Sequence, residues 1–144
     1  MLVYHLIYRS MASQELREAQ LLALLTWSRT YNEAQDITGI LLRGPGHYLQ
    51  VLEGKEAAIT KLYASIRADK RHSGVAVLAD GSSGSRIFPR WRMGFLEASA
   101  KDFARLEGHI DPVYRSPWPP HGNVLARGYL ALLQEFATAQ PVRF

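Results

Sequence analysis

The amino-acid sequence predicts an α+β fold, a ferredoxin-like β-α-β-β-α-β-β sheet with two helices on one face. Three observations predict it. Apolar and polar residues alternate with a period of two over residues 2–10. Stripes at helical spacing run through Leu21, Leu25, Ser28 and Asn32, and again through Ile59, Leu62, Ile66 and Asp69. Gly44-Pro45-Gly46 separates two β-rich runs in the manner of a hairpin turn.

The first strand places Leu2, Tyr4, Leu6, Tyr8 and Ser10 on one face and Val3, His5, Ile7 and Arg9 on the other. Ser13 precedes an apolar-periodic run with Glu15 and Glu18 in its first turn, so a helix is expected from there to about Tyr31. Ile37 to Arg43 and His47 to Glu53 form the hairpin, and Gly54 ends it. Residues 56–70 read as the second helix. Val75 to Leu78 is a short strand, and Gly81-Ser82-Ser83-Gly84 a turn. Ile87 to Glu97 reads as the last strand, with Trp91, Met93 and Phe95 on one face. Crossovers in such a sheet are right-handed, which fixes the side the helices occupy. Residues 1–97 thus form one unit and 98–144 a C-terminal extension. The extension reads as helices at about 100–108 and 122–138, separated by prolines that no helix crosses, and expected to cover the sheet's second face.

Bulk properties exclude several classes. Hydrophobic residues make up 47% and charged residues 21% of 144, the balance of a globular chain rather than a disordered one. There is no cysteine, so thiol chemistry and cysteine-ligated metals are excluded, and a cytoplasmic location is expected. The five histidines have no metal-ligand spacing, and no metal is expected. No apolar run approaches the roughly 20 residues of a membrane span, and MLVYHLIYRS is no signal peptide. The +4 charge is spread, with Arg86, Arg90 and Arg92 as its densest group. HYLQVLE lacks the aromatic and glycine pattern of an RNA-binding strand, so no nucleic-acid partner is expected. Signatures of P-loop, serine-hydrolase, zinc-protease and dinucleotide sites are absent.

Polar residues stand on faces that should be buried. Tyr8 and Ser10 follow Leu6, Gln50 lies between Tyr48 and Leu52, and Asn32 ends a helical stripe. A buried polar group without a partner costs about 1–3 kcal/mol. These groups therefore either satisfy one another in the core or line a ligand held in a cleft between helices and sheet.

Six blocks occur in order: LIYRS at 6–10, SRTYN at 28–32, ITGILL at 37–42, YLQVLEG at 48–54, IRADKRH at 66–72 and FPRWRMGF at 88–95. Together they resemble the BLUF family, blue-light sensors using FAD. The resemblance implies a non-covalently bound isoalloxazine between the two helices, with FMN or riboflavin as alternatives to FAD. It implies that Asn32 bonds the ring's carbonyl edge, that Gln50 reaches the N5/O4 side, and that Tyr8 stands behind Gln50. Asp69, Arg71 and His72 match the block implied to hold the ribityl and phosphates. Arg29 matches another block, with a structural role as its alternative. Ile66 is implied to pack on the ring, Ser10 to join the cofactor-binding set, and Trp91 and Met93 to lie beside the glutamine. Light-driven electron and proton transfer from Tyr8 would then rearrange the Gln50 hydrogen bonds, by rotation or tautomerism. Tyr31 and Ser65 depart from common family usage, and Trp27 and Tyr63 read as packing rather than extra electron donors.

On this reading the chain is a photoreceptor and not an enzyme. Residues 98–144 hold no catalytic output domain, so a downstream partner protein or a homo-oligomer carries the signal. Two rivals stand beside it. An acylphosphatase-like hydrolase would need an anion-cradling loop after the first strand, and SMASQ supplies none although Arg9 is present. A flavin-free interaction module would fill the cleft with side chains.

Overall fold

The computed structural model describes residues 2–13 and 16–101. Their order is β1 (Val3–Ala12), α1 (Glu18–Gln35), β2 (Thr38–Gly44), β3 (His47–Gly54), α2 (Glu56–Ala68), β4 (His72–Ser83) and β5 (Gly94–Glu97). The five strands form one sheet in the order β4-β1-β3-β2-β5. The β4-β1-β3-β2 part is antiparallel throughout, and β5 joins the β2 edge in parallel. This is the expected α+β architecture. No helix among the described residues is long and apolar enough to cross a membrane.

Alternation on the strands decides which face the helices cover. Tyr4, Leu6 and Tyr8 of β1, Leu41 of β2, Leu52 of β3 and Phe95 of β5 cluster with Leu21 and Leu25 of α1 and Ile59 and Leu62 of α2. Burying each leucine or isoleucine contributes roughly 1.5–3 kcal/mol, so this layer seats both helices on the sheet. Ile7, Ile40, Leu42, Leu49 and Val51 point to the other face and are also buried. Most of the helix expected at 100–108, and all of that at 122–138, lies outside the described residues. The hairpin turns through Pro45 and Gly46, whose φ of 72° is the left-handed conformation such a turn needs at its second central residue.

Several boundaries differ from the expectation. Helix α1 starts at Glu18, after Arg17, and Gln20 Oε1 reaches back to the Arg17 N–H at 2.9 Å. Ser13 does not cap it; its amide and hydroxyl donate to the carbonyls of Arg71 and Lys70. Glu15 lies outside the described residues. The helix continues past Tyr31 to Gln35 and is closed by Asp36 in the left-handed conformation. Strand β4 is much longer than 75–78, because the β1 ladder carries it from His72 through the Gly-Ser stretch read as a turn. Residues 87–93 are not strand; the last strand is confined to Gly94–Glu97. The cause is a buried carboxylate: Glu53 accepts the amides of Ile87 and Phe88, bending the chain just before Pro89.

Candidate functional site

A cleft open to solvent lies between α1 and α2 against the sheet. Leu24, Leu41, Leu62 and Ile66 give it apolar walls, and Tyr8, Ser10, Ser28, Asn32 and Gln50 give it polar ones. Both expected helical stripes contribute, through Ser28 and Asn32 from α1 and Leu62, Ile66 and Asp69 from α2 and its C-terminal cap.

At the floor of the cleft, Tyr8 and Gln50 are directly opposite one another on adjacent antiparallel strands. The Tyr8 hydroxyl donates to Gln50 Oε1, and Gln50 Nε2 donates to Met93 Sδ at 3.2 Å. An amide carries two N–H groups, so one remains beyond the sulfur contact at the cleft wall. Burial pushes the Tyr8 phenol far above its ordinary range, with Tyr63 and Asp69 adding to the effect. Tyr8 is therefore a neutral hydrogen-bond donor at any physiological pH.

Asn32 lines the cleft, and its Nδ2 donates to the carbonyl of Arg92. Ser10 is 1% exposed and its Oγ has no partner among the described residues. Ile66 lines the cleft and packs against the core. Asp69 and Arg71 stand at the rim and bond to each other, Arg71 Nε donating at 2.9–3.0 Å to both carboxylate oxygens. Asp69 in turn raises the Arg71 guanidinium above its usual range. Arg29 does not line the cleft; its Nε donates to the Met93 carbonyl at 3.0 Å, tying α1 to the segment before β5. His72 opens β4 opposite Ala12, and its side chain is not among those described. Met93, and not Trp91, meets Gln50. Trp91 stacks on Phe88 at 5.3 Å, because the chain there bends instead of alternating as a strand.

Two aromatic residues expected only to pack lie close to the site. Tyr63 meets the Tyr8 ring edge-on at 5.6 Å, and Trp27 lines the cleft mouth, stacked on Tyr31 at 5.4 Å. The signal for Tyr63 was its spacing of four from Ile59 and three from Ile66, which puts it beside the buried stripe. Ser65 also reaches the cleft.

The residues present fit a flat, polar-edged aromatic ligand. The walls are largely apolar, the floor carries an amide, and the buried Ser10 hydroxyl has no partner among the described residues, a condition that a ligand relieves.

Comparisons with known proteins lead to the same place. The family described as "BLUF: Sensors of blue-light using FAD" matches residues 3–94. Photoactivated adenylate cyclase subunit beta of Euglena gracilis is 34% identical over 121 residues, which is 73% of this chain and 14% of that protein. The blue light- and temperature-regulated antirepressor BluF of Escherichia coli (strain K12) is 31% identical over 83 residues, 58% of this chain and 21% of that protein. The chain thus spans a small fraction of these relatives' lengths. Among solved structures, "BlrB - a BLUF protein, dark state structure" superposes with a TM-score of 0.68 at 26% identity, covering 95% of this chain and 96% of that one. "BlsA photo-activated state" superposes at 0.73 over 100% and 99% of the two chains; at 21% identity it shows the shared fold.

Proposed function

The chain belongs to the BLUF family, sensors of blue light using FAD, and we propose that within it Tyr8 and Gln50 form the light-operated switch. The observation that carries the proposal is the chain of contacts from the Tyr8 hydroxyl through the Gln50 amide to Met93 Sδ at the cleft wall. When bound, the flavin supplies blue-light absorption and an acceptor for one electron. The protein's part is to hold a donor whose proton can leave with the electron. Tyr8 is a neutral phenol already bonded to Gln50 Oε1, so the electron and the proton can depart together. Gln50 can then rotate or change tautomer, because an amide is a donor at one end and an acceptor at the other. Either change alters the bond that Nε2 makes to Met93 Sδ, and so reaches the segment before β5.

In the same reading Asn32, Ser10 and Ile66 hold the ring, while Asp69, Arg71 and His72 serve the ribityl and phosphate region. Arg29 positions the Met93 backbone, and Trp91 braces the bend that carries Met93. FMN or riboflavin could occupy the same cleft. Residues 1–97 act as the sensor and 98–144 as an extension. The output passes to a partner protein or through a homo-oligomer in the cytoplasm, and the chain itself catalyses no reaction. Relatives named as photoactivated cyclases and a light-regulated antirepressor support a regulatory output.

A light-minus-dark difference spectrum of the purified yellow protein tests this. A red shift of the flavin band is expected. Tyr8→Phe and Gln50→Leu should each keep the flavin and lose the shift; a normal shift in either removes that residue from the switch. A colourless protein that takes up no added flavin would overturn the reading as a whole.

A further inference from the structure

A buried polar cluster stands on the face of the sheet away from the cleft. Glu53 lies between His5 and Thr38, its direct partners on β1 and β2. It is 0% exposed, as is His5. Oε1 accepts from Thr38 Oγ1 at 3.0 Å and from the Phe88 amide at 2.6 Å. Oε2 accepts from the Ile87 amide at 2.7 Å and lies 3.2 Å from His5 Nδ1. Both carboxylate oxygens are thus committed to the backbone of one segment, by short bonds of the charge-assisted kind.

That segment is the crossover from β4, on one side of the sheet, to β5 on the other. It passes Glu53 at Ile87 and Phe88, stacks Phe88 on Trp91, receives the Gly39 amide at the Trp91 carbonyl at 2.8 Å, and ends in Met93. Gly39 itself sits tight against β3, where a Cβ would stand 1.9 Å from the Val51 carbonyl oxygen. Met93 then enters the helix-side core and touches Gln50. The chain therefore wraps from one face of the sheet to the other between residues 88 and 93. The placement of Met93 depends on where the far-face end of the segment is held.

We propose that Glu53 is a positioning residue for the photoswitch: from the opposite face of the sheet it fixes the crossover segment so that Met93 Sδ meets the Gln50 amide. This rests on the switch reading above, and it adds a control point that never touches the cofactor. Glu53→Gln is a sharp test, because an amide can accept at one end only. One of the two segment amides would then face an N–H₂ group.

Two measurements test it. In the flavin-free protein, amide exchange at Ile87 and Phe88 should rise about tenfold or more in Glu53→Gln, the increase extending towards Met93. In the flavin-loaded protein, Glu53→Gln should change the dark-recovery rate by about threefold or more in the wild-type background, and by nothing measurable in a Met93→Ala background. That non-additivity is a readout that a loss of general stability would not produce. Should Glu53→Gln fail to fold, Glu53→Asp keeps the charge, withdraws it by one methylene and carries the same cycle. Unchanged exchange at Ile87 and Phe88, or additive effects of the two substitutions, overturns the inference. If instead the unmodified protein shows no light-induced shift, the switch reading fails, and the exchange measurement still decides whether Glu53 anchors the segment.

Discussion

Tyr8 and Gln50 meet because β1 and β3 are antiparallel and in a register that sets them opposite one another. A one-residue slip would turn Gln50 to the far face and break the contact, so the buried alternation of β3 also protects the switch. Burial holds the Tyr8 phenol protonated well beyond the ordinary range. The amplitude of the light-induced shift should therefore stay flat as pH rises from neutral to about 9, whereas an unshifted phenol of pKa about 10 would begin to lose its proton near the top of that range. A fall in amplitude towards pH 9 that tracks phenolate absorbance would contradict the buried, neutral donor. Tyr63 touches Tyr8 through its ring edge, and Phe supplies the same edge. Tyr63→Phe should accordingly leave the shift within about a fifth of wild type, since the contact between the rings survives. Loss of the shift in that variant would assign the Tyr63 hydroxyl a part in the chemistry.

Strands β1 and β4 carry a second buried phenol contact, in which Tyr4 donates its hydroxyl to the Asp80 carboxylate. Burial raises the Asp80 carboxyl to about 6; the Tyr4 hydrogen bond opposes this and the nearby Glu56 adds to it. A carboxyl whose folded pKa lies above its unfolded value stabilises the fold fully below the unfolded pKa and loses that contribution as pH rises through the folded one. Glu53 has the opposite sign. Burial pushes it up, but the His5 contact and the two amides prevail and hold it below the usual range. Its contribution is present above the unfolded pKa and is lost in acid. As pH rises from about 4 to about 6, Asp80 should make stability fall. Urea unfolding of Asp80→Asn should flatten that slope, and an unaltered slope would show that other groups set it. The same elements show where sequence alone is legible. Period-two and helical spacing revealed the order of the elements and the faces of β1, β3, α1 and α2, because those faces are buried. The six ordered blocks pointed to the cleft and to Tyr8, Gln50 and Asn32. What could not be read were contacts made at long range. Nothing local tells that Glu53 will capture Ile87 and Phe88 and convert a strand-like run into a bend, or that the β1 ladder will extend β4 through Gly81-Ser82-Ser83.

The two helices share one sheet face, and each is seated through few fully buried side chains: Leu21, Leu25 and Asn32 on α1, Ile59 and Leu62 on α2. Leu24, Ser28 and Ile66 face the cleft and stay half-exposed. A flat ligand between the helices would bury them and give Ser10 a partner, so ligand and fold should be linked energetically across the whole domain. A ligand that binds the native state alone adds RT ln(1 + [L]/Kd), which is about 2.7 kcal/mol at a hundredfold excess over Kd. For a chain of this length each kcal/mol moves the midpoint by roughly 2–4 °C, so saturating FAD should raise Tm by about 5–10 °C over the flavin-free protein. Calorimetry on both forms measures it. Riboflavin should give most of the same rise if the ring and ribityl carry the binding, and clearly less if the phosphates gain from Arg71 at the rim. Identical midpoints with and without flavin would mean that the gap between the helices is not a ligand site, because a ligand held by residues from α1, α2, β1 and β3 together cannot bind without opposing their separation.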